Sequence, residues 1–587
     1  MLRRTFALSL ALLLPLVVPS TPAAAQQQIE SRVPIAFNRY YTFEESLDIC
    51  RRLVEAYPEL LTMEEIGRSV QDRPIVAITL NNPKTGPHDS KPGMYVDSNI
   101  HGNEIQVTET AIYAIWYLAS AYGSVPAITE LVDRTSFYFI PCVNPDGRVY
   151  WFEEANASST SRGGQKPIDN DRDGEFDEDG PEDLDGDGSI TMMWRPDPNG
   201  THRRSELDPN RMEAVMPELR ADGTIRRGTH SMAGLEGIDN DGDGLINEDG
   251  PGGYDPNRNW PADWHPEHVQ SGAHDYPLSL PESRCVAEFI LARPNIAGGL
   301  AYHNTGAMIL RGPGSQDRES IYAGRDRVTY DAIAKAGVEM LPFYRYLVTW
   351  SDLYPVRGGF KNWLSESLGV IAYTMEMWTD KRILQTGEQP TLEQMARYRE
   401  RVLFGQTVTP LTEFDHPTLG PILVGGPTKW SSRIAPPFMA EEEYHRNLAF
   451  IAYHAAEMPV VRFAAIETTD LGGGLWQVDV ELANDRLTPT RTERAASRGI
   501  GQPDRLMLEG ATVVAAGLKQ SGFDRGMSEQ RFRPAMLEIE EGVPGRGSRF
   551  ARFFVTGEAG AEITLRFVAE KARDLEARVR LGAPTSP

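Results

Sequence analysis

The strongest constraint on this chain is an alternation of helical and strand periods between about residues 41 and 122. FEESLDICRRLVEAYP spaces its apolar positions as one face of a helix, and RPIVAITLNN and GMYVDSNI read as strands. ETAIYAIWYLASAYG returns to a helix with Ile112, Ile115, Trp116 and Ala119 on one side. Such alternation predicts a mostly parallel or mixed sheet covered by helices. TSFYFIPCVNPDG adds a strand ending in turn residues, and the pattern resumes in IAGGLAYHN, SIYAGRDRVTYDAIAKAGVEML and GVIAYTMEMW. A helical LEQMARYRERVLFGQ, a turn-rich EFDHPTLGPILVGGPTKW and a closing helix in AEEEYHRNLAFIAYHAAEMP follow. After Pro459 short alternating strands take over, among them LWQVDVELAND, ATVVAAGL, RFARFFVTG and AEITLRFVAE, which suggests a separate β-sandwich. The expected fold class is α/β, a mixed central sheet flanked by helices over residues 26–458, with a C-terminal all-β sandwich domain over 459–587.

Composition narrows the function. With 40% hydrophobic residues among 587 the chain can bury a large core, so a wholly disordered or collagenous chain is excluded. The net charge is -24, without the concentrated basic footprint that a phosphate backbone requires, so cations rather than nucleic acid are the expected company. The opening MLRRTFALSLALLLPLVVPSTPAAAQQQ has Arg3 and Arg4, an apolar run from Phe6 to Val18, and small residues Ala23 and Ala25. This is the layout of a secretory signal peptide, residues 1–25, cleaved after Ala25. Its apolar core falls short of the about 20 residues of a comfortable membrane span, so a secreted or periplasmic protein with no membrane span is expected. Cys50, Cys142 and Cys285 lack any CxxC element and can form at most one bridge; buried thiols or a single bridge are the expectation.

Between about residues 155 and 253 runs a Gly/Asp-rich interval, far longer than the roughly 2–6 residues of an ordinary α/β loop. Three strings in it share one theme: DNDRDGEFDEDG, DLDGDGSITMMW and DNDGDGLINEDG. Asp169, Asp171 and Asp173, then Asp183, Asp185 and Asp187, then Asp239, Asp241 and Asp243 occupy positions 1, 3 and 5 of each, with glycine at 6 and Phe176, Ile190 or Ile246 at 8. The alternation aims carboxylates at one centre while glycine allows the sharp turn, as in an EF-hand-like loop, so structural calcium is expected. Position 12 departs from that pattern: Gly180, Trp194 and Gly250 stand where a bidentate glutamate belongs, leaving Glu178, Asp179, Glu248 or Asp249 to complete the shell. Residues 169–187 carry eleven acids and one arginine, and 239–249 five acids and no base, so these stretches need cations to hold together.

The strand MYVDSNI runs directly into HGNE, placing His101 and Glu104 at the carboxyl end of a strand, where open α/β sheets bind ligands. Imidazole and carboxylate suit zinc, and a catalytic zinc needs a third protein ligand. HGNE is followed in order by NPDGR, MMWRP, DPNRNW, a strand ending in YHN, Tyr354 before a Gly-Gly pair, and YTMEMW. With this series, and with IGRSVQDRPI ahead of it, the chain resembles the M14 zinc carboxypeptidases across roughly Arg39 to Met458.

The resemblance implies that His101, Glu104 and His303 hold one catalytic zinc and that Asn257 and Arg258 grip a terminal carboxylate of the substrate. It further implies that Arg195 polarises the scissile carbonyl, that Tyr354 is a mobile lid and that Glu376 is the general base and acid. Lys361, two residues after the second glycine of Gly358-Gly359, falls in the family's specificity pocket and suggests an acidic C-terminal residue in the substrate. The chemistry of these residue types agrees. A carboxylate in the apolar strand IAYTMEMW is costly to bury without a role, and an arginine fork with an amide donor suits a chain end. The implied reaction is hydrolysis of the last peptide bond of peptides or proteins with a free carboxyl terminus, with zinc-activated water as nucleophile. The alternatives are a peptidase for cell-wall or isopeptide-linked peptides, and a non-catalytic calcium-dependent binding protein.

Overall fold

The computed structural model describes residues 29–219, 221–322 and 324–582. The expected signal peptide, residues 1–25, lies outside the described residues. Helix α1 (Phe43–Ala56) starts at Thr42, whose hydroxyl accepts from the Glu45 amide while the Glu45 carboxylate accepts from the Thr42 amide, a reciprocal cap that fixes its first turn. The central sheet uses β1 (Leu61–Arg68), β2 (Pro74–Leu80), β3 (Gly93–Ser98), β4 (Ser136–Ile140), β5 (Ile296–Asn304), β6 (Met308–Arg311), β7 (Arg345–Val348) and β8 (Ile371–Met377). Their spatial order is β1-β2-β4-β3-β5-β8-β6-β7. The four inner strands β4, β3, β5 and β8 run parallel, whereas β1, β2 and β6 bring antiparallel pairings, so the sheet is mixed.

The strand period sorts the core into two layers. Met94 and Val96 of β3, Phe137 and Phe139 of β4 and Tyr373 and Met375 of β8 face one layer, packed beneath α1, α2 (Gln106–Ala121) and the closing helix Pro437–Ala456. Tyr95, Tyr138 and Ala372 face the other, under helices Pro281–Leu291 and Phe360–Leu368 with Trp260 and Trp363. Strands buried on both faces explain the near-continuous apolar runs in the sequence.

The interval after β4 is more than loops. Met192–Pro196, His202–Arg204, Met212–Ala214 and His230–Leu235 form an antiparallel sheet that also takes in the hairpin Val408–His416/Gly420–Pro427. The segment EFDHPTLGPILVGG, read from sequence as turn-rich, is therefore a strand pair whose glycines sit at positive φ, at Gly420, Gly425 and Gly426. Beyond residue 460, a five-stranded and a four-stranded antiparallel sheet face each other across Val478, Val480, Leu506, Phe553, Leu565 and Phe567, the two layers of a sandwich. This unit is stitched to the first: the Glu493 and Arg494 amides donate to Asp326, and Thr492 Oγ1 donates to the Gly369 carbonyl. Cys50, Cys142 and Cys285 are free and buried. Among the described residues no single helix is long and apolar enough to cross a membrane.

One fully buried ion pair braces the sheet beneath the site. Arg148 and Glu109 are both completely enclosed; Arg148 Nη2 donates to Glu109 Oε1 at 2.7 Å and Nη1 to the Ile105 carbonyl at 2.8 Å. Removing the cation alone leaves an uncompensated buried carboxylate. Arg148→Met is expected to lower unfolding stability by about 3–5 kcal/mol, read from urea denaturation.

Candidate metal centre and substrate cleft

Three neighbouring parallel strands set the site at their carboxyl ends. Asn99 ends β3 in the left-handed region, at φ 59°, a conformation asparagine tolerates, and its Nδ2 donates to the His101 carbonyl at 2.6 Å. The turn this makes throws His101 and Glu104 over the end of the sheet. His303, next to last in β5, pairs in register with Glu376 of β8, so the two side chains leave the same face side by side.

His101 Nδ1 and His303 Nδ1 each lie 3.0 Å from Glu104 Oε2 and 3.1 Å from each other. In a tetrahedral zinc shell with bonds of about 2.0–2.1 Å, donor atoms stand roughly 3.3 Å apart, so this near-equilateral triangle fits the ion. All three side chains are buried, and two imidazole nitrogens with one carboxylate oxygen turned to a common point are a donor set that zinc accepts. Outside the triangle, His101 Nε2 lies 3.0 Å from Asp255 Oδ1, which holds that ring with Nδ1 turned inward. Burial would raise Glu104 and Asp255, yet both are held well below the usual carboxylate range, Glu104 by His101 and His303 and Asp255 by Arg258, His101 and Arg162.

A cleft opens beside the triangle, lined among others by Arg162, Asn257, Arg258, Tyr354, Lys361 and Glu376. Arg162 Nε donates to Asp255 Oδ2 at 3.1 Å, and its Nη1 lies 3.4 Å from Glu104 Oε1. Arg433 reaches the same Glu104 oxygen at 3.4 Å and donates to the Asn304 carbonyl at 2.9 Å. Glu376 is pushed up to about 7 by burial and then by Glu104. Asn257 Oδ1 accepts from the Phe360 amide at 2.9 Å, which fixes the segment carrying Lys361 against the segment carrying Arg258. Gly358, at φ 64°, makes that contact possible, because a Cβ there would fall 2.2 Å from the Arg258 carbonyl oxygen. Tyr354 is 54% exposed at the lip.

The zinc carboxypeptidase family profile matches residues 47–206 and 212–404, more than half of the chain. The chain belongs to the zinc carboxypeptidase family. Its sequence is similar to carboxypeptidase D of Homo sapiens, 31% identical over 118 residues, covering 20% of this chain and 9% of that protein. It is also similar to carboxypeptidase A2 of Mus musculus, 34% identical over 124 residues, covering 21% and 28%. A third relative is named inactive metallocarboxypeptidase ECM14, from Saccharomyces cerevisiae, 27% identical over 135 residues, covering 23% and 31%. The chain thus spans less than a third of the length of each of these relatives. Residues 460–580 match a family described as a domain of unknown function (DUF8731).

Within this zinc carboxypeptidase fold, the structure brings His101, Glu104, His303, Asn257, Arg258, Tyr354, Lys361 and Glu376 to one cleft. Arg195 is not among them. It lies exposed in the strand Met192–Pro196, opposite Ser231, with Asp197 as its charged neighbour, because MWRP belongs to the insertion's own sheet. Besides Arg258, the arginine that lines the cleft is Arg162, from SRGG ahead of the acidic strings, a stretch with no distinctive pattern. Asp255 was not singled out from sequence, although it stands in DPNRNW two residues before Asn257; Arg433 had no sequence signal. Of the aspartates in the acidic strings, Asp169, Asp171 and Asp173 and Asp239, Asp241 and Asp243 lie in two adjoining loops, and Asp183 and Asp185 stand with buried Glu236.

Because Asp255 orients His101, Asp255→Asn is expected to weaken zinc about 10–100-fold with the fold intact, measured by competition with a chromogenic chelator.

Proposed function

We propose that this chain is an exported zinc-dependent metallocarboxypeptidase that removes the last residue of peptides or proteins with a free carboxyl terminus and prefers an acidic one. The observation that supports it most is the meeting, in one cleft, of the His101–Glu104–His303 triangle, Glu376, and the Asn257–Arg258 pair. When bound, zinc supplies Lewis acidity, which favours water as a nucleophile near neutral pH and polarises a carbonyl.

The chain's own residues supply the rest. Arg258 and Asn257 grip a terminal carboxylate, so an internal segment, which has none, is not held for cleavage. Glu376 takes a proton from the attacking water at its carboxylate and returns it to the departing amine. Arg162 offers a guanidinium to the oxygen on which charge develops. Tyr354, at the exposed lip, closes over the bound end and excludes water.

Lys361 supports the acidic preference. It is 6% exposed, its Nζ donates to Thr349 Oγ1 at 2.6 Å, and it makes no ion pair with any described carboxylate. Burial pushes it down to about 7, so a substrate carboxylate beside it would restore a full charge.

Assay of a peptide series differing only in the last residue tests this reading. Release of C-terminal Glu or Asp ahead of Leu, Phe and Lys is expected, and Lys361→Met should lower kcat/KM for the acidic substrates by about 30-fold or more. Glu376→Gln should abolish turnover while metal analysis still finds zinc. Arg162→Ala should cost about 10²–10³ in kcat, whereas Arg195→Ala leaves kcat within about twofold. A parent protein that holds zinc and releases nothing from any peptide would defeat the catalytic reading.

A further inference from the structure

The acidic insertion contains two loops that complete one another. Residues 169–180 and 239–250 repeat the same internal bonds: Gly174 N donates to Asp169 at 3.2 Å and Gly244 N to Asp239 at 3.1 Å, while Asp173 N to Asp171 and Asp243 N to Asp241 both measure 3.0 Å. The loop ends meet in an antiparallel bridge between Asp179 and Asp249, with Asp179 N donating to the Asp249 carbonyl at 3.1 Å. The bridge sends each terminal aspartate into the opposite loop. Asp249 stands with Asp169 and Asp171, and Asp179 stands with Asp241 and Glu248. Glu178 joins Asp171, Asp173 and Asp241, so the two clusters are adjacent.

A second observation points to ligands rather than to solvated acid. Both carboxylate oxygens of Glu178 and both of Glu248 are closed off from solvent and have no hydrogen-bond donor. Burial, then the facing aspartate, pushes each up to about 7: Asp249 acts on Glu178, Asp179 on Glu248. Carboxylates surround these four oxygens, and a bound cation would satisfy them together. The third cluster differs. Glu236 beside Asp183 and Asp185 accepts from the Thr191 and Leu184 amides, so its buried oxygens are already satisfied.

We infer that the paired loops bind two calcium ions, one within each loop, each shell closed by an aspartate of the other loop. The donors are all oxygen: Asp169, Asp171, Asp173, Glu178 and Asp249 gather at the first loop and Asp241, Glu248 and Asp179 at the second, where Asp239 and Asp243 hold the loop positions that match Asp169 and Asp173. That gathering of carboxylates suits calcium, which takes about 6–8 oxygens, better than magnesium, which keeps most of its water.

The ion pair also sets the cleft, a step that rests on the proposed function. The first loop leaves the chain just after Arg162, and the second returns it just before Asp255, Asn257 and Arg258. Between loops and cleft the two limbs lie in contact: Asn170 N donates to Asp249 Oδ1 at 2.9 Å and Lys166 N to Tyr254 Oη at 3.1 Å. At Gly163 a Cβ would fall 2.4 Å from the Gly252 carbonyl oxygen, so the limbs touch backbone to backbone. Calcium at the loops thereby holds Arg162 in register with the carboxylate-gripping pair.

The test compares the zinc-loaded full chain with the Glu178→Gln/Glu248→Gln double variant, zinc content being verified by metal analysis. Calcium titration should show that the parent binds two more ions than the variant, or binds them at least about tenfold more tightly, with magnesium unable to replace them. Thermal melting should cross over: without calcium the variant, relieved of buried charge, melts above the parent, and with calcium below it. Equal calcium binding by both proteins, absent binding at millimolar calcium, or equal response to magnesium overturns the ion sites. If the ions bind as expected but calcium removal leaves KM for C-terminal peptides unchanged, the coupling to the cleft is overturned while the sites stand. Absence of any peptidase activity would instead bear on the proposed function, because the binding and melting results do not depend on turnover.

Discussion

Glu104 stands between two imidazoles and two guanidiniums, and the site is organised around that one carboxylate. Its Oε2 closes the triangle with His101 and His303; its Oε1 faces Arg162 and Arg433. A buried carboxylate survives there only because cationic or metal-accepting groups meet it on both sides. Each of those groups comes from a different stretch of chain, so the sheet, the insertion and the segment after Glu376 all have to fold before the charge is balanced. The Arg148–Glu109 pair beneath serves the same end, tying the start of α2 to the segment after β4 and so fixing the turn that carries Glu104.

The central sheet was largely legible because its strands are buried on both faces and its helices on one, which writes the two periods plainly into the residues. The metal triangle was legible for a different reason. The family resemblance named its residues; AYHN and YTMEMW sit in strands whose ladder aims His303 and Glu376, whereas HGNE follows its strand and is aimed by the turn at Asn99. Register then does the rest: His303 opposite Glu376 follows from β5 and β8 running parallel.

What could not be read is what the insertion does in three dimensions. Arg162 precedes the acidic strings and Arg195 lies between the second and the third, and only the fold shows which arginine turns inward; the strand register around Trp194 turns Arg195 out. The hairpin Val408–His416/Gly420–Pro427 escaped for a similar reason, since glycines and prolines in its strands read as turns until a neighbouring strand is present to pair with them. Arg433 belongs to the same class: its role depends on a loop far along the chain folding back over Asn304.

The second sheet carries a consequence for the architecture as a whole. Its strand Met192–Pro196 lies between two parts of the chain separated by about 185 residues, pairing with His230–Leu235 on one side and with Gly420–Pro427 on the other. The long interval is accordingly not an appendage that could be trimmed to recover a minimal fold. Its excision would strip the later hairpin of its neighbour and bare a row of unsatisfied amides and carbonyls, an adhesive border through which truncated chains would associate with one another.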